Sequence, residues 1–278
     1  VSLADLLLAH DLYPTSFTDD TGIPESGNGI PDILDEARYA LEWLLRMQDP
    51  ESGGVYHKLT SVNFPALLLL PEHDLMQMYF SPMSTTATAD VAAVLALAAR
   101  VYETLDPAFA QLCLTAAEKA WRWLQEFEGA PGFKNPAGMY TGEYGDNDDR
   151  DERFWAAAEL YRTTGAAGYG DAVRIAFAQG GLSFTGLGWQ EVSGFGSMAY
   201  LLSTQDGKDA VVVDGLTGRI LGEAKEKLAQ VQADTYGSSL LPSEYGWGSN
   251  SGMLNNAVLM LLANRLQPED AWLAGVDA

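Results

Sequence analysis

IPDILDEARYALEWLLRMQ, residues 30–48, decides the fold class. Ile30, Ile33, Leu34, Ala37, Leu41, Leu44, Leu45 and Met47 recur at i, i+3 and i+4, which places them on one stripe of an α-helix. Pro31 suits a first helical turn, where its missing N–H costs nothing, and Asp32, Asp35 and Glu36 sit at the positive end of the helix dipole. The same rhythm predicts helices over 84–102, 106–127, 151–163, 169–177, 191–203, 215–232 and 248–266. Strand signals are weak and local. TTGAAGYGDA (163–172) and ANRLQPEDAWL (263–273) each end one helix and begin the next within a few residues, as antiparallel helix pairs require. The expected architecture is therefore all-α, a set of stacked α-hairpins. No composition break marks a linker, so residues 1–278 read as a single domain.

Composition narrows the partners. With 278 residues, 47% of them hydrophobic, the chain can bury a large core. Its apolar runs, such as Leu67 to Leu70, are too short to span a bilayer, so no membrane is expected as a partner. The N-terminus lacks a basic, cleavable signal pattern, and a start at Val1 without methionine reads as a processed or trimmed end. A net charge of −22, from 38 acidic and 16 basic residues, repels polyanions and argues against nucleic acid. The single cysteine, Cys113, lies among apolar neighbours in a helical stretch and reads as a buried small hydrophobe. GxSxG, GxxxxGK[ST], HExxH and CxxC motifs are absent.

Functional residues are expected in the two long loops, 48–82 and 129–150, held on the helical scaffold. TGEYGDNDDRDERFW, residues 141–155, packs six carboxylates and two arginines into fifteen positions. Asp146, Asp151 and Glu152 stand where this loop turns into a helix and can supply oxygen ligands to a hard cation. The same acids can instead cap a helix N-terminus and face water, each stabilised by roughly 0.3–1 kcal/mol. The spacing is not that of an EF-hand. STTATAD (84–90) reads as a helix cap followed by close packing. Tyr245 and Trp247 precede a helix for which Ser249 is a candidate N-cap; exposed aromatic faces there suit pyranose rings, and a buried Trp247 would be core instead. Tyr140 and Tyr144 flank the acidic loop as weaker candidates of the same kind, while Trp121, Trp123 and Trp155 fall at packing positions.

Taken in order, NGIPDILDEARYALEWLLRMQ (28–48), GGVYHKLT (53–60), STTATADVAAVLALAARVY (84–102), DERFWAAAELYRTTG (151–165) and YGWGSNSGMLNNAVLML (245–261) resemble the catalytic domain of glycoside hydrolase family 9 cellulases. The resemblance implies an (α/α)6 barrel, here incomplete, whose loops at one end form a cleft for β-1,4-glucan or cello-oligosaccharide, cleaved with inversion. It also implies a secreted parent protein. The family's general base lies in an Asp-Ala-Gly-Asp motif that would precede VSLADLLLAHDLYP (1–14), and its general acid would follow AWLAGVDA (271–278). The chain thus reads as the central part of the domain, cut at both ends, with no catalytic residue of its own and inactive alone. Open helix faces would then favour self-association. The family further implies a structural calcium on Asp146, Asp151, Glu152 and Glu191, sugar contact by His57, and a cleft position for Trp247. Two alternatives remain: a catalytically silent carbohydrate-binding fragment, or another (α/α)6 glycosidase, for example one acting on chitooligosaccharides.

Overall fold

Along the middle of this chain, helices buried on nearly every side alternate with helices buried on one stripe, and that alternation builds an inner and an outer layer. The computed structural model describes residues 1–127 and 133–278; part of the long loop at 129–150 lies outside the described residues. Among the described residues the helices are α1 (Ser2–Leu12), α2 (Asp32–Met47), α3 (Thr85–Tyr102), α4 (Pro107–Glu126), α5 (Arg150–Thr164), α6 (Ala167–Gln179), α7 (Ser193–Leu201), α8 (Ala210–Ala233), α9 (Ser249–Leu266) and α10 (Asp270–Asp277). The mainly helical expectation holds. In α3 only Ala87, Asp90 and Arg100 keep partial exposure, and every residue of α7 is buried. By contrast α4 buries one face through Ala110, Cys113, Ala117, Ala120 and Leu124, and α8 buries Val212, Leu216, Ile220 and Ala224 at four-residue spacing. Helix α3 packs between α1 and α5, and α5 between α3 and α7; α2, α4, α6 and α8 cover them from outside. A second, smaller cluster of Ala224, Val231, Met260, Ala263 and Trp272 joins α8, α9 and α10.

Four two-residue strands pin the loop between α2 and α3: β1 (Val55–Tyr56) pairs antiparallel with β4 (Met83–Ser84), and β2 (Leu59–Thr60) with β3 (Tyr79–Phe80). The turn into β1 needs its glycine pair. Gly53 has φ +92°, and a Cβ on Gly54 would lie 2.6 Å from Met83 Sδ. Gly165 ends α5 in the left-handed conformation at φ +69°, its N–H donating to Tyr161 O at 2.8 Å.

Boundaries differ where a cap outweighs hydrophobic rhythm. Asp209 Oδ1 accepts from the N–H groups of Val211 (2.8 Å) and Val212 (3.2 Å), so α8 starts at Ala210 rather than 215. Ser249 does not cap α9; Gly248 occupies that position at φ +79° without a side-chain bond. Helix α7 is shorter than 191–203, because Glu191 and Val192 belong to the loop before it. Cys113 is buried in the α3–α4 contact, as its neighbours foretold, and burial pushes its thiol up to about 12. Among the described residues no helix is long and apolar enough to cross a membrane.

The inner layer depends on close backbone approach. A Cβ on Gly196 of α7 would sit 2.6 Å from Phe154 Cδ1 and 2.9 Å from Trp155 Cα, whereas one on Gly222 of α8 meets nothing within 4 Å. Urea unfolding is therefore expected to show Gly196→Ala destabilised by about 1–3 kcal/mol through overpacking. Gly222→Ala is expected to be stabilised by about 0.4–1 kcal/mol.

Candidate functional site

The loops leading into α3, α5 and α7 come together with the start of α1 around a cavity of about 410 Å³. Its lining includes Ser2 of α1, Thr86, Ala87 and Asp90 of α3, Glu152 of α5 and Trp189 just before α7, with His57, Lys58, Tyr144 and Asp146 from the intervening loops. The N-terminal ends of three inner helices thus face one space, and their dipoles favour negative charge there. The sequence reading of 84–90 as a cap holds: Ser84 Oγ accepts from Ala87 N–H at 3.1 Å.

Carboxylates crowd one wall of this cavity. Asp90 Oδ1, Asp146 Oδ2 and Glu152 Oε2 are buried without a hydrogen-bond partner. Burial first, then the neighbouring Asp151 and Asp146, push Asp90 upward; burial, then Asp90 and Asp151, push Glu152 upward. Asp151 is raised mainly by burial, against the bond that its Oδ2 accepts from Val192 N–H at 2.8 Å. Glu191 lies near enough to Asp151 to raise it further, but its own oxygens accept from Ser193 N–H at 3.1 Å and from the Ser183 hydroxyl. Gly186 makes room for Glu191, since a Cβ there would fall 1.7 Å from Glu191 Oε2. Asp146, Asp151 and Glu152 are thus neighbours at the foot of α5, joined by Asp90, which sequence reasoning left out. Among the described residues these carboxylates do not bring three ligand oxygens within 4.8 Å of one another. Asp149 is buried and pairs with Arg153 at 3.0 Å, whereas Asp148 is half-buried and bound by Arg150.

A second carboxylate group was missed altogether. Asp19, Asp32 and Asp35 each offer an oxygen within 4.8 Å of the others. Asp32 is only 2% exposed; its Oδ2 accepts from the Thr21 hydroxyl (2.6 Å) and the Ser26 hydroxyl (2.8 Å), while Oδ1 is buried without a partner. The Thr21 hydroxyl, ahead of its backbone N–H and Ser26, holds the Asp32 carboxyl below the usual range despite burial. Asp19 accepts from Gly27 N–H and Gly29 N–H, both at 2.6 Å. This trio can hold a metal ion. In the sequence, Asp32 and Asp35 look like ordinary partners of a helix dipole, and only the fold brings the loop residue Asp19 to them.

His57 is held on two sides. Its ring stacks on Phe133 at 3.9 Å between centroids and 7° between planes, and Nδ1 lies 2.9 Å from Ser84 Oγ. Burial pushes its pKa down, against the carbonyls of Glu143 and Tyr144, which favour the charged ring. Tyr144 takes φ +50°, rare for an aromatic residue, and meets Trp189 edge-on at 6.1 Å. Trp189, half exposed beside the cavity, escaped the sequence reading, where its neighbour Glu191 drew attention. Tyr140, Tyr245 and Trp247 do not line the cavity. Tyr140 and Tyr245 are exposed, and Tyr245 donates to Ser238 Oγ at 2.5 Å. Trp247 is fully exposed, which rules out its core alternative, while Trp123 and Trp155 are buried as expected.

Matches to known proteins follow the same outline. The model for "Glycosyl hydrolase family 9" matches residues 1–276. Endoglucanase D of Acetivibrio thermocellus is 35% identical over 259 residues, covering 92% of this chain and 41% of that protein. Endoglucanase C of Cellulomonas fimi is 38% identical over 270 residues, covering 92% of this chain and 24% of its own length. The crystal structure of a metagenome-derived glycoside hydrolase family 9 endoglucanase superposes with a TM-score of 0.92 at 39% identity, over 99% of this chain and 50% of that one. The structure of AaCel9A in complex with cellobiose-like isofagomine gives a TM-score of 0.90 at 36% identity, over 96% and 50%. The chain therefore spans half or less of each of these four proteins.

His57 carries a pH signature. Folding lowers its pKa below the ordinary value of about 6.5, so the folded state prefers the neutral ring and stability falls as pH drops through and below that value. NMR titration is expected to place the His57 ring below about 6.5 and to move it back upward in Phe133→Ala, which admits water. A ring titrating at or above the ordinary value in the unaltered chain would contradict this.

Proposed function

This chain belongs to glycosyl hydrolase family 9, and from that premise we propose that residues 1–278 form one domain that binds a β-1,4-glucan across the cavity at the inner-helix N-termini, as part of an endoglucanase acting with inversion. The observation that carries this reading is the convergence of His57, Lys58, Tyr144 and Trp189 on one open cavity. An aromatic face can cover the apolar face of a pyranose ring while neighbouring polar groups orient its hydroxyls. Tyr140, Tyr245 and Trp247, exposed outside the cavity, are proposed to meet a longer glucan beyond it.

Inverting hydrolysis needs one carboxyl group to protonate the leaving oxygen and a second, roughly 6.5–9.5 Å away, to activate water. Both are proposed to come from parts of the enzyme outside this chain. The carboxylates at the foot of α5 are assigned to a cation instead, because three of their group present buried oxygens with no donor. Asp146, Asp151, Glu152 and Glu191 would hold calcium there, joined by Asp90. The ion would supply charge compensation, fixing the acidic loop to α5 and to the turn before α7. Asp19, Asp32 and Asp35 are proposed as a second cation position.

Two measurements test the reading. The purified chain is expected to bind cellopentaose without releasing reducing sugar, and Tyr144→Ala to weaken binding about two- to tenfold, the size of one aromatic contact of about 0.5–1.5 kcal/mol. Hydrolysis by the chain alone, abolished by changing one of its own carboxylates, would overturn the placing of acid and base; no binding would overturn the cleft. In thermal melts, calcium at about 100 times its Kd is expected to stabilise the chain by about 2.7 kcal/mol per site. Asp151→Ala and Asp32→Ala should each remove one increment and together remove both. A midpoint indifferent to calcium and chelator would dismiss both cation positions.

A further inference from the structure

Residues 62–80, VNFPALLLLPEHDLMQMYF, form a hairpin closed by β2 and β3 that projects its apolar side chains into solvent. Phe64, Leu67, Leu68, Leu70, Leu75 and Phe80 are each more than half exposed, Leu67 at 98%. Taking on the order of 150 Å² for a large apolar side chain, these and the partly exposed Leu69, Met78 and Tyr79 present roughly 900 Å². Monomeric proteins seldom show an apolar patch beyond about 300–600 Å². A standard interface takes about 800 Å² from each partner.

Charge identifies the occupant. The hairpin holds no lysine or arginine, and its only carboxylates are Glu72 and Asp74, beside the tip. It therefore offers only two carboxylates to an oppositely charged partner, and it lacks the basic residues that fasten an apolar insertion to an anionic lipid surface. Two copies of a chain with net charge −22 repel over most of their surface and approach most easily where charge is sparse, which is here. The backbone agrees: β2 and β3 form a two-stranded sheet, so no strand among the described residues pairs with the outer edge of β3. An unpaired edge flanked by apolar side chains is a template for a like strand.

We propose that this hairpin is a homodimer contact, in which the hairpins of two copies pack against each other about a two-fold axis. Such an isologous contact uses the same patch twice and closes on itself. It differs from association through open helix faces, for which the apolar groove between α1 and α9, lined by Leu8, Leu12, Leu254 and Val258, is the rival surface.

Sedimentation velocity on the 278-residue chain between about 1 and 100 µM is expected to show a monomer–dimer equilibrium. The triple change Leu67→Ser, Leu68→Ser, Leu75→Ser should weaken dimerisation at least about a hundredfold, since central apolar contacts dominate an interface. Far-UV circular dichroism should stay unchanged, because these side chains are exposed. Leu254→Ser with Val258→Ser, in the rival groove, should leave the dimer intact. A wild-type monomer throughout that range overturns the proposal, as does a dimer that survives the hairpin changes, or open-ended polymers in place of a dimer. Should the wild type instead be monomeric and float with phosphatidylcholine vesicles, and the triple variant not, the hairpin serves a lipid surface and the proposal fails.

Discussion

Helix α3 has no solvent face to spare, and the rest of the molecule is arranged around that fact. Its alanines, from Ala89 through Ala99, are almost all fully buried, so α1, α4 and α5 can approach closely on different sides. A helix buried all round must have its ends satisfied by specific partners. At the N-terminal end Ser84 caps the helix, and the Thr88 hydroxyl both donates to Ser84 O at 2.6 Å and accepts from Val55 N–H at 2.9 Å, tying β1 to the first turn. At the other end Arg100 reaches Glu159 at 3.0 Å and Asp11 at 3.5 Å, while Arg162 meets Asp11 at 3.0 Å. This largely buried charge network joins α1, α3 and α5. Such pairs add little net stability over apolar packing, but breaking one leaves an uncompensated charge, so they fix how the three helices sit.

The functional end follows from that fixed arrangement. Because the starts of α1, α3 and α5 border one cavity, side chains in their first turns are brought together without being near in sequence. Asp90 and Glu152 meet this way. Burial first, and the neighbouring carboxylates after it, push Asp90, Asp151 and Glu152 upward. The family's likeness to half of an (α/α)6 barrel agrees with this geometry, since such a toroid lines its mouth with the inner-helix termini.

How much was legible depended on whether a feature is periodic or convergent. Inner and outer helices write their burial into spacing, so α3, α4, α5 and α9 were readable to within two residues. The glycine pair before β1 and Gly165 after α5 were visible as punctuation. Convergence has no local signature. Asp19 and Asp32 are 13 positions apart, with Thr21 and Ser26 between them contributing the hydroxyls that hold Asp32. Asp90 sits in a run that reads as a cap with packing, and its role comes from α5. Asp149 sits within the acidic run, and nothing in that run singles out Arg153, one turn into α5, as its partner. Trp247, to which the resemblance gives a cleft position, is fully exposed and does not border the cavity lined by His57 and Trp189.

The acidic loop itself is over-determined before any ion binds. Lys58 Nζ donates to Gly142 O at 2.5 Å and to Thr141 Oγ1 at 3.2 Å, and Thr60 Oγ1 donates to Thr141 Oγ1 at 2.9 Å. Gly145 lies so close to Phe133 that a Cβ would meet its carbonyl oxygen at 2.5 Å, and Phe133 in turn stacks on His57. Between these anchors Tyr144 is forced to φ +50°, a conformation worth about 1–3 kcal/mol of strain, which persists only where neighbours hold it. The Tyr144 ring meets Trp189 edge-on at the cavity edge. Asp146, two residues on, points a buried oxygen at the carboxylate wall, so a cation bound there would fasten the far side of the same strained turn. Tyr144 at the cavity edge and the buried oxygen of Asp146 are thus held two residues apart on one turn.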